Sequence, residues 1–212
     1  MSALVGFPIY EKSTKDLEDE GFLVPTKCIF IRTTSSKTAE TFSDFYTSYI
    51  VNNEQRNSLV TQLVQMYRKT NKLLILTRRV KHAKMLGELI PNSFVITGST
   101  DKAERKEMFS KFKASNDHVL IGSTKIFSAG IDIPDLDIII NTTGHKSNID
   151  SVQITGRVKR CSPGKKFGYY VDFLDEVKFF KTASKLRIKK LKEFGNEVKI
   201  INSIDELKNL II

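Results

Sequence analysis

Short apolar runs rich in β-branched residues alternate along the chain with longer segments whose apolar positions recur every three or four residues. The runs read as strands over Cys28–Arg32, Lys72–Thr77, Phe94–Thr97, His118–Ile121, Leu136–Asn141, Gly168–Phe173 and Val198–Ile201. Several are apolar almost throughout, as strands covered on both faces of a parallel sheet should be. The amphipathic segments predict helices over 40–51, 54–69, 79–90, 102–113, 149–158 and 177–194. In the second, Leu59, Leu63, Met66 and Tyr67 fall at helical spacing and read as core packing. Asp101 and Glu104 have the spacing of a capping box at the start of the fourth. The β–α alternation predicts an α/β fold, a doubly wound and mainly parallel sheet. In that architecture ligands gather outside the carboxyl ends of the strands.

The chain divides into three parts on this reading. Residues 1–25 hold a short polar helix, Thr14 to Glu20, stopped by Gly21, and then an extended stretch to Pro25, which reads as a connector arm. Residues 26–175 form the sheet domain, and 176–212 a C-terminal helical extension. In its helix, Lys178, Lys181, Lys185, Lys189 and Lys192 fall within roughly 80° of one another at about 100° per residue. Phe179, Phe180, Ala183, Leu186, Leu191 and Phe194 take the other side and are expected to dock on the domain. The lysine stripe suits either a polyanion track or a solvated face.

Composition narrows the class. With 40% hydrophobic and 27% charged residues, and only 11 Gly and 5 Pro among 212, the chain can bury a core; disorder, collagen and low complexity are excluded. The 34 basic residues against 24 acidic ones leave a net charge of +10, which fits a polyanionic partner or an ordinary lysine-rich surface equally. Cys28 and Cys161, far apart and without CxxC spacing, exclude a disulfide framework or zinc ribbon and suit a reducing compartment. The first twenty residues lack the apolar core of a signal peptide, and apolar stretches such as Leu73–Leu76 are too short to span a bilayer. A soluble intracellular protein with no membrane partner is expected. Asn141-Thr142-Thr143, a formal glycosylation sequon, ends a buried strand and reads as chance.

Two loops carry chemistry. Gly122-Ser-Thr-Lys-Ile-Phe-Ser-Ala-Gly-Ile-Asp-Ile-Pro134 follows a buried strand. Its Gly, Ser and Thr residues at a strand's carboxyl end offer amides and hydroxyls to a phosphate, or simply form a capped turn. Within it Phe127 suits core packing better than stacking on a base. Gln153-Ile-Thr-Gly-Arg-Val-Lys-Arg160 spaces Gln153, Arg157 and Arg160 along one face of a helix, with Gly156 leaving room for another surface. Two guanidinium groups without an acidic neighbour suit a phosphate better than a salt bridge, a solvated basic face being the alternative. His82, His118 and His145 stand at no metal-ligand spacing, and no G-x-S-x-G nucleophile motif occurs.

Taken in order, Thr124-x5-Gly130-x-Asp132-x-Pro134 and Gln153-x-x-Gly156-Arg157-x-x-Arg160 resemble motifs V and VI of superfamily 2 helicases. Leu73–Thr77 looks like motif IV, and Ile96-Thr97-Gly98 with Arg105 looks like motif IVa. The resemblance covers about 60–175 and points to the second RecA-like domain, the C-terminal half of the motor. The lead-in from Tyr10 to Pro25 is similar to the connector of phage recombination helicases and poxvirus transcript-release helicases, which implies a viral protein acting in the cytoplasm or a viral replication compartment. No G-x-x-x-x-G-K-[ST] loop and no Asp-Glu-x-His or Asp-Glu-x-Asp box occurs, Pro163-Gly164-Lys165-Lys166 being only a turn.

The family resemblance implies an ATP-dependent helicase that hydrolyses ATP with Mg²⁺ in the full-length protein. Its phosphate loop and Mg²⁺ ligands lie on an N-terminal RecA-like partner domain, so this chain alone is expected to be inactive. Arg157 and Arg160 are then a phosphate-contacting arginine and an arginine finger, in either order, and Gln153 contacts the γ-phosphate or attacking water. Gly130 and Asp132 line the nucleotide cleft. Thr77, Arg78, Gly98, Ser123 and Thr124, with Arg105 assisting, contact the backbone of DNA or RNA independently of sequence. The alternative from another class is a motor-derived module that binds nucleic acid or protein without hydrolysing ATP. A small-molecule Rossmann enzyme fails for want of G-x-G-x-x-G.

Overall fold

Every strand that the apolar runs predict is present, and all run in one direction. A computed structural model describes residues 12–35, 39–115, 117–128, 135–144, 148–177 and 179–211. The strands are β1 (Thr26–Thr33), β2 (Leu73–Thr77), β3 (Ser93–Ile96), β4 (Val119–Ser123), β5 (Ile138–Asn141), β6 (Gly168–Asp175) and β7 (Glu197–Ile201). They form one parallel sheet in the order β3-β4-β2-β5-β6-β1-β7. The helices are α1 (Thr14–Asp19), α2 (Phe42–Tyr46), α3 (Glu54–Tyr67), α4 (Val80–Leu89), α5 (Lys102–Ala114), α6 (Thr124–Ser128), α7 (Asn148–Val158) and α8 (Lys181–Glu193). A π-helical turn, Thr47–Val51, continues α2, and a 3₁₀ turn, Ile204–Asn209, follows β7. No helix among the described residues is long and apolar enough to cross a membrane.

Alternation along the buried strands sorts their side chains onto two faces. Ile29, Ile31, Leu73 and Ile75 pack with Val60, Leu63 and Val64 of α3 and Ala83 and Leu86 of α4. Cys28, Phe30, Leu74 and Leu76 meet Phe112 of α5, Phe127 of α6, Ile154 and Val158 of α7 and Leu191 of α8. Helices therefore cover both faces, the doubly wound α/β arrangement. Leu207 and Ile211 join the first cluster, so the segment after 176 adds a strand and buried side chains to the same sheet.

Three details differ from the expectations. The last helix begins at Lys181 rather than 177, because Phe179 takes a left-handed backbone (φ 71°) that no α-helix continues through. Its apolar stripe is also incomplete: Phe180, Ala183 and Leu191 are buried, but Phe179 and Phe194 are exposed. At α5, Asp101 accepts from the Ala103 and Glu104 amides at 2.7 and 3.4 Å, a one-sided cap rather than a reciprocal box. Lys181, Lys185, Lys189 and Lys192 line the outer surface of α8, while Lys178 lies outside the described residues.

Two buried ion pairs hold β6 between its neighbours. Asp172 receives Nε and Nη2 of Arg187 at 2.8 and 2.9 Å, a bidentate pair with both side chains buried. It also accepts from the Tyr170 hydroxyl at 2.7 Å and Asn141 Nδ2 at 2.9 Å. Burial opposes the Arg187 charge, but the Asp172 carboxylate more than compensates and raises the guanidinium's pKa. Asp175 pairs with Arg56 and accepts from the hydroxyls of Thr33 at 3.0 Å and Tyr49 at 3.2 Å. The Arg56 guanidinium lies 3.9 Å from the Phe173 ring centroid. On the same side of the sheet His82 is buried and its Nε2 faces Asn57 Oδ1 at 3.0 Å.

Arg187→Ala leaves the Asp172 charge buried without its guanidinium and should cost about 3–5 kcal/mol of stability in urea denaturation. A loss below about 1 kcal/mol would show that the pair does not hold α8 on the sheet. Burial, with the Arg56 charge adding to it, pushes the His82 pKa from 6.5 down to about 4. Between those values the unfolded chain binds a proton that the folded chain excludes, so stability is full above 6.5 and falls as pH drops through the window. His82→Gln should flatten that decline; an unchanged pH–stability profile counts against a neutral buried imidazole.

Candidate nucleotide and nucleic-acid face

Because all strands are parallel, their carboxyl ends open on one edge of the sheet. Register puts three adjacent ends side by side there: Ile96 opposite Gly122, and Thr77 opposite Ser123. Gly98 follows β3 and is exposed, and a Cβ placed on it would meet no described atom within 4 Å. Arg78 follows β2 and is exposed; Ser123 and Thr124, at the β4–α6 junction, are half-buried. Thr77 is different, being 1% exposed with its hydroxyl 3.5 Å from the Gly122 carbonyl. It can shape this edge more readily than reach a ligand.

Local sequence explains the tightness of these turns. A Cβ at Gly122 would lie 2.6 Å from the Ile96 carbonyl and 2.7 Å from the Phe127 ring, so only glycine fits between β3 and α6. Phe127 is buried and meets Phe109 edge to face at 6.2 Å, a core aromatic that no base can reach. After β3, the Thr97 amide donates to Thr100 Oγ1 at 2.9 Å. Arg105 directs its guanidinium at the Thr97 and Thr100 carbonyls, at 3.4 and 3.3 Å. In this structure Arg105 braces the turn that carries Gly98.

The arginine segment lies on α7 and just beyond it. Gln153 and Gly156 are exposed, and among the described residues nothing stands within 4 Å of a Cβ placed on Gly156. Arg157 is half-buried, and that desolvation lowers its guanidinium pKa. Arg160 departs from the helical spacing expected of it. The helix ends at Val158, and Arg160 pairs as an isolated antiparallel bridge with Leu23 of the arm. Gln153 and Arg157 therefore share a helix face, and Arg160 is held separately.

The arm grips this point with several groups. Ser13 and Asp16 close a capping box on α1, and Gly21 (φ 78°) turns the chain toward β1. The Val24 amide donates to the Lys159 carbonyl at 2.8 Å, Lys159 Nζ pairs with Glu18 at 2.6 Å, and the Cys161 thiol donates to the Gly21 carbonyl at 3.2 Å. Sequence reading missed this clasp, since nothing local links Glu18 to Lys159.

Exposed Gln153 and half-buried Arg157 present a carboxamide and a guanidinium on α7, and Gly156 leaves the surface between them bare. Among the described residues no group of three or more His, Cys, Asp or Glu side chains could hold a metal ion. Gly130, Asp132 and His145 lie outside the described residues. An open cavity of about 860 Å³ lined by Lys72, Asp135, Asp137, Lys165 and Tyr169 sits at the opposite, amino-terminal ends of the strands. It brings together none of the residues that the helicase motifs single out.

Residues 55–162 match the family described as the helicase conserved C-terminal domain. The chain is 30% identical over 168 residues to putative helicase 22 of Sulfolobus islandicus filamentous virus, covering 76% of this chain and 29% of that protein. It is 25% identical over 128 residues to the ATP-dependent DNA helicase uvsW of Enterobacteria phage T4, covering 58% of this chain and 26% of the relative. It thus spans under a third of the length of these relatives. The solved C-terminal domain of the DEAD-box protein Dbp5 superposes with a TM-score of 0.63 at 18% identity, covering 90% of this chain and 98% of that one. The chain belongs to the helicase conserved C-terminal domain family, with the RecA-like fold of the C-terminal domains of superfamily 2 helicases.

Proposed function

We propose that this chain is the C-terminal motor half of an ATP-dependent nucleic-acid helicase or translocase. The observation that carries the reading is the surface of α7, where Gln153, Gly156 and Arg157 are presented outward with open space above the glycine. Such a surface suits a nucleotide held between this domain and a second one. ATP supplies the free energy of phosphoryl transfer when it is bound with Mg²⁺. Arg157 and Arg160 would place guanidinium charge against its phosphates, Gln153 would orient the γ-phosphate or a water, and Gly130 and Asp132 would line the cleft. A positioned arginine of this kind contributes roughly 10³–10⁵ in rate, because its charge lies where the transition state develops negative charge.

Residues 1–25 act in this reading as the connector from an N-terminal RecA-like domain that supplies the phosphate loop and Mg²⁺ ligands. Ser123, Thr124, Arg78 and Gly98 form this domain's part of a single-strand track on DNA or RNA, with Thr77 and Arg105 shaping it from below. Backbone contacts of this type position a strand without reading its bases. Relatives named as a DNA helicase of phage T4 and as an rRNA helicase of Candida albicans support nucleic acid as the substrate class.

Joined to a RecA-like domain carrying a phosphate loop, the chain should show nucleic-acid-stimulated ATPase, and Arg160→Ala should lower turnover by orders of magnitude with little change in strand binding. Loss of binding and turnover in equal measure would count against a finger role, and hydrolysis by this chain alone would overturn the two-domain reading. A motor-derived binding module would give strand binding with no ATPase in the joined protein.

Alone, the chain should bind single strands weakly, with Kd roughly 10⁻⁴–10⁻⁶ M and a log–log salt slope of about −2 to −3. Tight, salt-insensitive or base-specific binding would refute backbone contact by these loops. Glu18→Gln should weaken the arm's hold on Lys159, the Val24 amide bond remaining, and raise its cleavage in limited proteolysis several-fold; unchanged cleavage would deny the ion pair a role in holding the connector.

A further inference from the structure

Aromatic side chains of α2, of the π-helical turn that continues it and of the turn after β6 form one continuous group. Phe45, Tyr46, Tyr49 and Phe180 are buried, whereas Phe42 and Phe179 at its outer edge are 44% and 41% exposed. These two rings meet edge to face with centroids 5.9 Å apart. Phe179 holds its left-handed backbone (φ 71°) at a cost, since a bulky residue rarely adopts it. Backbone outliers of that kind gather at ligand sites. Here the outlier leaves a large apolar ring facing outward beside a second one.

Cations complete the arrangement. The Arg78 and Arg79 guanidinium carbons lie 5.9 and 5.1 Å from the Tyr46 ring centroid, and Tyr46 lies 6.1 Å from Phe42. Arg79 donates to Ser43 Oγ at 3.1 Å, which ties the β2–α4 turn to α2. Of the carboxylates in these segments, Asp44 accepts the Thr41 hydroxyl at 2.6 Å, Glu176 pairs with Arg32, and Glu40 is exposed. Strand order carries the line across the face: Ser123 ends β4, Arg78 and Arg79 follow β2, and the aromatic pair follows β6 and β1.

We propose that Phe42 and Phe179 form a base-stacking platform for single-stranded nucleic acid, with Arg78 and Arg79 holding phosphates on its β2 side. This rests on reading the strand-end face as the nucleic-acid track, and it adds to that track a contact with the bases themselves. Paired flat rings beside two cations suit an unstacked strand, whose bases offer π-faces and whose backbone offers charge. The platform tolerates any sequence, because every base has such a face.

The test compares the affinity of this chain for a single-stranded dodecamer and for an abasic strand of equal length and charge, by anisotropy. Wild type should prefer the base-bearing strand roughly tenfold, and 2-aminopurine in it should change fluorescence on binding. Phe42→Ala should remove the preference while leaving abasic affinity unaltered, and Phe42→Trp should keep it. Phe179→Ala should do as Phe42→Ala does; if it unfolds, the two Phe42 variants decide alone. Equal affinity of wild type for both strands overturns the platform but leaves the backbone track standing. No binding of either strand overturns both. A concentration-dependent dimer abolished by Phe42→Ala would make the rings a self-association surface and overturn the proposal.

Discussion

Asp172 and Asp175 lie fully buried within a strand whose every residue is buried, and a carboxylate taken out of water is costly unless a cation is paired with it. Arg187 answers the first from α8 and Arg56 the second from α3. Successive side chains on a strand point to opposite faces, so these two arginines clamp β6 from the two helical layers. The hydrophobic effect that presses α8 onto the sheet is non-directional and does not by itself choose the helix's register. A bidentate guanidinium pair does specify it. Ser184 of α8 reinforces the clamp by donating to Asp175 and accepting from its amide at 3.1 Å.

The clamp fixes more than one helix. Asp175 stands at the carboxyl end of β6, where the Tyr49 and Thr33 hydroxyls converge on it. Tyr49 belongs to the aromatic cluster that covers the ends of β5 and β6, and Tyr46 in the same cluster donates to the Thr143 carbonyl at 3.0 Å. The edge on which the helicase motifs lie is thereby tied to the buried charge network. A parallel sheet collects the loops that follow its strands on one edge by topology; the ion pairs and aromatic packing give those loops a rigid floor.

The strands were legible because burial on both faces demands runs such as Leu73–Leu76 and Ile138–Ile140, which polar loops interrupt. The family was legible because glycine, hydroxyl and guanidinium groups recur at the spacings of its motifs. What escaped depends on partners distant in the chain. Asp172 reads as an interruption in an apolar strand until Arg187, fifteen residues on, is folded back against it. Phe42, Phe45, Tyr46 and Tyr49 repeat at helical spacing, a signal that could have marked the aromatic cluster, but only Phe179's backbone turns one ring outward. Thr77 and Arg105, assigned to a ligand by resemblance, are found satisfying protein carbonyls.

Arg160 shows most clearly where helical spacing ceases to govern. Beyond Val158 the backbone no longer follows the helix, and its position is set by Leu23, Val24 and Glu18 of the arm. A guanidinium on a helix inherits the helix's rigidity; one held by a clasp inherits the clasp's. On the proposed reading the arm also joins the two halves of the motor. The segment that transmits movement between the domains would then be the same segment that fixes the backbone of a phosphate-facing arginine. Opening of the domains would pull directly on that residue, whereas Arg157, inside α7, would move only with the whole sheet. The two arginines of one motif thus have mechanically different supports, and that difference follows from where the helix stops.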